Sequence, residues 1–282
     1  MAISLAGLQL IASIYQDGVL SNRRSVVEIG AQDLSPKQDD VANILSRLAG
    51  LQGNLDTVTT PELLYKSLGF TVYKCIDADG PPHALMFDLN KDIVQDYHFL
   101  EQFDLVTNHG TTEHVFDQCR AFRNIHDVCA SNGIMIHEVP FHNRVNDGFF
   151  NYQPTFFYDL ASANHYELVG IYLGLPAVGD IMPYSDDMAR ALFGTHMDME
   201  LLVVLKKTTE NQFHNPYNGK YLKTCLLTDS YGTQQARVPT HKQFSPGVRT
   251  TRGDSTSDIN LMTTKRIAQT LFRRIVRKVL NA

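Results

Sequence analysis

The stretch Phe103 to Pro140, FDLVTNHGTTEHVFDQCRAFRNIHDVCASNGIMIHEVP, decides how this chain is read. A short apolar run, Phe103 to Thr107, empties into a polar loop of Asn, His, Thr and Glu. A helix from Thr112 to Ala130 follows, and a second apolar run, Gly133 to His137, ends in His-Glu. Strand, helix and strand in that order make parallel neighbours, and open α/β sheets place their chemistry at the carboxyl ends of such strands. The pattern predicts that polar loops, not a phosphate cradle, carry the function.

Working outward, Ser25 to Ile29 (SVVEI) is a β-branched run that stops at Gly30. A helix with Val41, Ile44, Leu45 and Leu48 on one face follows it, then a helix over 62–68. Phe70 to Ile76 reads as a second strand running into Asp77-Ala78-Asp79-Gly80, and Ala84 to Phe87 before Asp88 as a third. Ile3, Leu8, Ile11, Ile14 and Tyr15 predict an amphipathic helix at the start. Repeated β-then-α units imply a parallel sheet covered on both faces. Beyond Pro140, Pro154 to Asn164 reads as a helix, and Tyr166 to Leu173 and Glu200 to Lys206 as two strands forming an antiparallel edge. Leu175 to Thr195 reads as an irregular insertion. The expected fold is α/β, a Rossmann-like doubly wound, mostly parallel sheet with an antiparallel edge strand in three α/β/α layers, over 1–207. A loop-rich extension over 208–282 ends in an amphipathic helix, Thr264 to Leu280.

At 282 residues and 43% hydrophobic content the chain can bury one large core. A net charge of -5 argues against a general nucleic-acid binder. The four cysteines form no C-x-x-C pair and read as reduced thiols. Met1 to Leu20 lacks the basic leader of a signal peptide, and no run approaches the roughly 20 apolar residues that span a bilayer. A cytoplasmic location is expected, with the basic face of the terminal helix solvated rather than membrane-bound. Arg252-Gly253-Asp254 reads as a chance tripeptide.

An acid inside the first strand (Glu28), one ending the second (Asp77) and one ending the third (Asp88) make Ser25 to Lys207 resemble class I S-adenosylmethionine-dependent methyltransferases. That family's motif is Asp/Glu-x-Gly-x-Gly-x-Gly. Here it stands as Glu28-Ile29-Gly30-Ala31-Gln32-Asp33, with only the first glycine kept. Several glycines matter most where backbone approaches a pyrophosphate, which S-adenosylmethionine lacks, so the departure counts more against a nicotinamide cofactor. The resemblance implies that Glu28, Gly30 and Gln32 line the methionine moiety, that Asp77, or Asp79 in its place, takes the ribose hydroxyls, and that Asp88 holds the adenine amino group. The loop from Asn108 through His109 and Gly110 would close over the sulfonium side.

Methyl transfer is an in-line displacement that needs proximity and, for a hydroxyl or amine acceptor, a base. The candidate bases are His109, Glu113 and His114 after the fourth strand and His137 and His142 after the fifth. His137-Glu138 with His142 does not have the H-E-x-x-H spacing of zinc helices, so no metal is expected. Asp147 to Pro154 reads equally as an acceptor wall or as a turn before a helix. The expected activity is transfer of a methyl group to an O or N atom of a small polar metabolite, a sugar derivative first among them. Phe213 to Tyr217 is open as a lid, a substrate wall or a homodimer contact. A catalytically silent methyltransferase-like module, binding a partner through 208–280, is the alternative, ahead of a nicotinamide-dependent oxidoreductase.

Overall fold

The structure is a computed structural model and describes residues 1–51, 53–192 and 197–218. Its strands are β1 (Ala2–Ile3), β2 (Ser25–Ile29), β3 (Asp33–Leu34), β4 (Val72–Ile76), β5 (Phe103–His109), β6 (Cys129–His142), β7 (Glu167–Leu175), β8 (Asp180–Pro183) and β9 (Met199–Lys206). Its helices are α1 (Leu5–Gln16), α2 (Gln38–Leu45), α3 (Pro61–Ser67), α4 (Ile93–Asp96), α5 (Gln118–Val128), α6 (Pro154–Ala163) and α7 (Asp186–Leu192).

Seven strands form one sheet in the order β4-β2-β5-β6-β9-β7-β8, and β1 pairs with β3 apart from it. Strands β4, β2, β5 and β6 are parallel. Strand β9 runs antiparallel to both β6 and β7, and β8 is antiparallel to β7. Side chains alternate between two cores, as a pleat requires. Val27, Ile29, Val106, Met135 and Val203 face the core that holds Phe122 and Phe157 of α5 and α6. Val26, Leu105, Ile134, Leu202 and Val204 face the one built on α1, α2 and α3. The result is the three-layer α/β/α sandwich expected of a Rossmann-like fold.

Several local expectations need correction. Glu200 to Lys206 is not at the edge: β9 inserts between β6 and β7. Leu201 to Leu205 are fully buried, and a strand apolar on both faces belongs inside a sheet. The antiparallel edge is β8, which together with α7 occupies the stretch read as irregular. The third strand reduces to a single bridge between Ile76 and Leu85. Ala2–Ile3 pairs with β3 before α1 begins, and Ser4 caps α1 by accepting from the Gly7 amide at 3.1 Å.

Helix α5 begins at Gln118, not Thr112, because Asp117 caps it by accepting from the Arg120 amide. Thr112–His114 is a separate single 3-10 turn. Asn108 holds that turn, its side-chain Oδ1 accepting from the Thr112 amide at 3.1 Å. Glu113 and His114 therefore sit on a tight connector at the end of β5.

The chain beyond β9 stays on the domain as far as it is described. The Lys207 ammonium is buried and donates to the carbonyls of His126 and Cys129. Asn164 brackets His214 through both its backbone groups, and Phe213 packs its ring on His126. Cys225, Arg252-Gly253-Asp254 and the helix expected over Thr264 to Leu280 lie outside the described residues. Among the described residues no helix is long and apolar enough to cross a membrane.

Candidate active site

Strand β2 is flanked by β4 on one side and β5 on the other, so the direction of winding reverses there and leaves a crevice at the carboxyl ends of β2 and β5. Both lips turn on glycines with positive φ, Gly30 at 84° and Gly110 at 71°. Gly30 is the one motif glycine retained, and its backbone explains why. A β-carbon there would collide with Thr111 Oγ1 and press at 3.0 Å on Gln32 Nε2 and Met1 Cε. Thr111 donates its hydroxyl to the Ile29 carbonyl at 2.6 Å, and Gln32 Nε2 donates to Thr111 Oγ1 at 3.1 Å. Gln32 Oε1 is buried without a hydrogen-bond partner.

Asp77 ties the crevice together from β4. One carboxylate oxygen accepts from the Ala31 amide at 2.8 Å and the other from the Asp79 amide at 3.2 Å. Asp79 itself is exposed, so Asp77 is the acid at the crevice.

Three other residues expected at the cofactor are occupied elsewhere. Glu28 is fully buried, accepts from the Tyr73 hydroxyl at 2.7 Å, and is pushed up to about 7 by burial. Asn108 holds the Thr112 turn and donates to His137 Nδ1 at 3.2 Å. Asp88 closes its own turn on Asn90, whose amides hold its carboxyl below the usual range.

A second feature lies beside the crevice, at the ends of β5, β6 and β9. It is a cleft of about 190 Å³ lined by Glu113, Glu138, Arg144, Asp147 and Glu200, with His114, Gly110 and Pro140, and with Met1 and Ala2 as one wall. Glu138 is the innermost carboxylate. It takes the Ser4 hydroxyl and the His109 imidazole, which hold it ionised below the usual carboxylate range despite burial. Burial and the charge of Glu138 push Glu200 far up, so it is protonated. Glu113 is only 2% exposed, and burial pushes it to about 7. The Gly148 segment lies against its backbone, and the Phe149 amide donates to its carbonyl at 2.8 Å. Glu113 Oε2 and Glu200 Oε2 are buried without partners. An unsatisfied buried polar group costs about 1–3 kcal/mol, more when charged, so Glu113 Oε2 is an acceptor that a donor entering the cleft would satisfy.

Of the expected bases, the cleft gathers Glu113 and His114, with His109 one step behind Glu138. It does not gather His137. That ring is buried between Phe122 and Phe157, at 5.6 and 5.3 Å, and burial pulls it down to about 3, so it is neutral. His142 is at the outer end of β6, opposite Met199. Among the described residues no three His, Cys, Asp or Glu side chains are grouped to hold a metal ion. Sequence reasoning missed Glu200, Arg144 and Ser4. The signal for Glu200 was a lone carboxylate at the mouth of an otherwise apolar strand.

Gly30, Gln32 and Asp77 fit S-adenosylmethionine in their chemistry. Gln32 Oε1 is an unused acceptor suited to an ammonium, and each Asp77 oxygen has a lone pair to spare for ribose hydroxyls. Glu28, Asn108 and Asp88 do not join them.

No family model and no curated protein matches the sequence. Solved structures of methyltransferases resemble the fold. The 1,6-didemethyltoxoflavin-N1-methyltransferase of Burkholderia thailandensis, with bound 1,6-didemethyltoxoflavin and S-adenosylhomocysteine, is 13% identical, with 72% of this chain and 79% of that one covered at a TM-score of 0.41. An O-methyltransferase from a trans-AT polyketide synthase of Brevibacillus brevis, in complex with S-adenosyl-L-homocysteine, is 12% identical over 71% of each chain, TM-score 0.38. A SAM-dependent methyltransferase from Archaeoglobus fulgidus is 10% identical over 71% of this chain and 94% of its own, TM-score 0.39. These likenesses concern the fold and assign no residue.

Proposed function

We propose that the protein is an S-adenosylmethionine-dependent methyltransferase acting on an oxygen or nitrogen of a small polar metabolite, with Glu113 as the base. The observation that carries this reading is Glu113 itself. Its carboxyl is buried, is poised near neutral pH, and has one oxygen free in a small cleft beside the crevice of a Rossmann-like sheet. S-adenosylmethionine, when bound, supplies an electrophilic methyl group, and Gly30, Gln32 and Asp77 would hold it. The chain's own residues do the rest. Glu113 Oε2 takes the O–H or N–H proton of the acceptor and leaves it a lone pair. The Phe149 amide and Gly148 fix Glu113 in place, and Met1, Ala2 and Pro140 form part of the cleft wall. His109 and Ser4 keep Glu138 ionised, which favours positive charge in the cleft.

Calorimetric titration with S-adenosylmethionine and S-adenosylhomocysteine tests the reading. Binding of both, lost in Asp77→Ala, is expected. Failure of both to bind the folded protein would refute it. The silent-module reading draws on a specific observation: Asn108, Asp88 and Thr111 are bonded within the chain, and the Met1 side chain lies over Gly30. The same titration decides between the two.

A further inference from the structure

We propose that the acidic cleft recognises a small organic ammonium ion carrying an apolar or aromatic body, so that the acceptor is an amine rather than a sugar derivative. This rests on the reading of the cleft as the acceptor site. Four carboxyl groups line it, Glu113, Glu138, Asp147 and Glu200, against the Arg144 guanidinium, the His114 imidazole and Met1 with its α-amino group. Arg144 is committed: it bonds Asp147 at 2.6 Å and reaches Glu200 Oε1 at 3.5 Å. Glu138 is met by Ser4 and His109. What remains is Glu113 Oε2, on a residue only 2% exposed and without a partner, because the protonated Glu200 shares its proton with Glu138. A buried carboxyl oxygen with no donor, next to the ionised Glu138, calls for a ligand that brings N–H groups and a positive charge, as an ammonium does. A sugar hydroxyl brings one weak donor and no charge. A metal ion is the poorer occupant, because the carboxyl groups are not arranged as a ligand set.

The surface next to Glu113 suits the rest of such a ligand. Phe116 and Phe149 are 75% and 66% exposed and meet edge to face at 5.9 Å between ring centres. Phe149 donates its amide to the backbone carbonyl of Glu113 at 2.8 Å, and Phe116 follows Glu113 by three residues, so the aromatic pair is tied to the connector that carries the base. An exposed phenylalanine pair beside buried carboxyls matches an amine whose apolar body lies on the rings while its head enters the cleft.

The test uses the full chain without cofactor and three probes of one shape, 2-phenylethylamine, 2-phenylethanol and phenylacetate, followed by calorimetry or ligand-observed NMR. The amine should bind about tenfold or more tighter than the alcohol, the scale of one charge-assisted contact, and phenylacetate should not bind. Glu113→Gln should weaken the amine by a similar factor and the alcohol by much less, and the retained alcohol binding shows that the variant is folded; Glu200→Gln, neutral for neutral, should leave the amine within threefold. Phe149→Ala should weaken amine and alcohol together. Amine and alcohol binding within twofold of each other, or displacement of the amine by Ca²⁺ or Mg²⁺, would overturn the proposal. Amine binding without S-adenosylmethionine binding would remove the transferase reading and keep the amine site. Methyl transfer to a neutral acceptor with no preference for amines would do the reverse.

Discussion

Gly7 of α1 lies against the Glu138 carboxylate so closely that a β-carbon at position 7 would overlap it. Ser4, at the head of the same helix, receives the Gly7 amide and donates its hydroxyl to Glu138, 134 residues further along the chain. The positive end of a 12-residue helix thus faces the deepest carboxylate of the cleft. The first helix packs on the sheet and also sets the charge of the site.

Gly7→Ala should therefore destabilise the protein by about 1–3 kcal/mol through overpacking, although alanine is the better helix former. Chemical denaturation measures this. Stability unchanged or raised would mean that Glu138 can shift freely and is not held by the helix.

Glu28 and Glu113 are both lifted from 4.5 to about 7 by burial, so between those values each binds a proton in the folded protein that the unfolded chain has lost, and its contribution to stability falls as pH rises. The buried His126 and His137, pulled down to about 4 and about 3, act in the opposite sense up to about 6.5, so the net fall in the wild type is shallower than the carboxyl contributions alone. Each carboxyl accounts for a loss on the order of 3 kcal/mol across the window, levelling off above it. Glu200, shifted in the same direction, extends the decline to higher pH. Urea midpoints at pH 5 and pH 8 should differ in the wild type and differ clearly less in Glu28→Gln, whose amide can still accept from Tyr73. An equal difference in the variant would remove Glu28 from the account.

Glu113→Gln should lower kcat by about 10²–10⁴, the usual range for a general base, while leaving S-adenosylmethionine affinity within twofold. In the wild type the rate should rise with pH through about 7, as Glu113 ionises beside Asp147, Arg144 and Glu138. That limb should vanish from the variant's profile. Its persistence would assign the base to another group.

Asp77→Ala should lose S-adenosylmethionine affinity about tenfold or more, whereas Asp79→Ala should change it little. Both oxygens of Asp77 hold backbone amides of the crevice, while Asp79 is exposed. Equal losses in the two variants would contradict this assignment, and calorimetry separates the cases.

His137→Ala should act on stability, not on the pH profile. The imidazole is neutral and packed between two phenylalanines, so its removal leaves a cavity costing about 2 kcal/mol or more. A shifted pH–rate limb in this variant would restore His137 as a base.

Much of the fold was legible locally. β2, β5 and α6 follow from runs such as SVVEI and from Pro154 at a helix start, since a strand buried on both faces and a proline-led helix both leave marks in sequence. Boundaries governed by side-chain caps were less so: Asp117 starts α5 six residues later than periodicity suggested, and that shift frees Glu113 and His114 from the helix. The place of β9 depended on which neighbours its apolar faces would find, which no local pattern carries.

The sequence by itself determined the β/α alternation, the acids Glu28 and Asp77, the lone Gly30 and the density of His and Glu after β5 and β6, because these express short-range geometry and composition. Only the tertiary structure decided which of them meet. Glu28 and His137 enter the cores, where desolvation dominates their chemistry, while Asp77 turns to the loop it supports. The cleft is assembled from Met1, Glu113, Glu138, Arg144 and Glu200, residues spread across nearly two hundred positions of the chain. Their electrostatics exist only where the ends of β5, β6 and β9 and the head of α1 converge, since burial and mutual distance, not residue type, set the charge each carboxyl can hold.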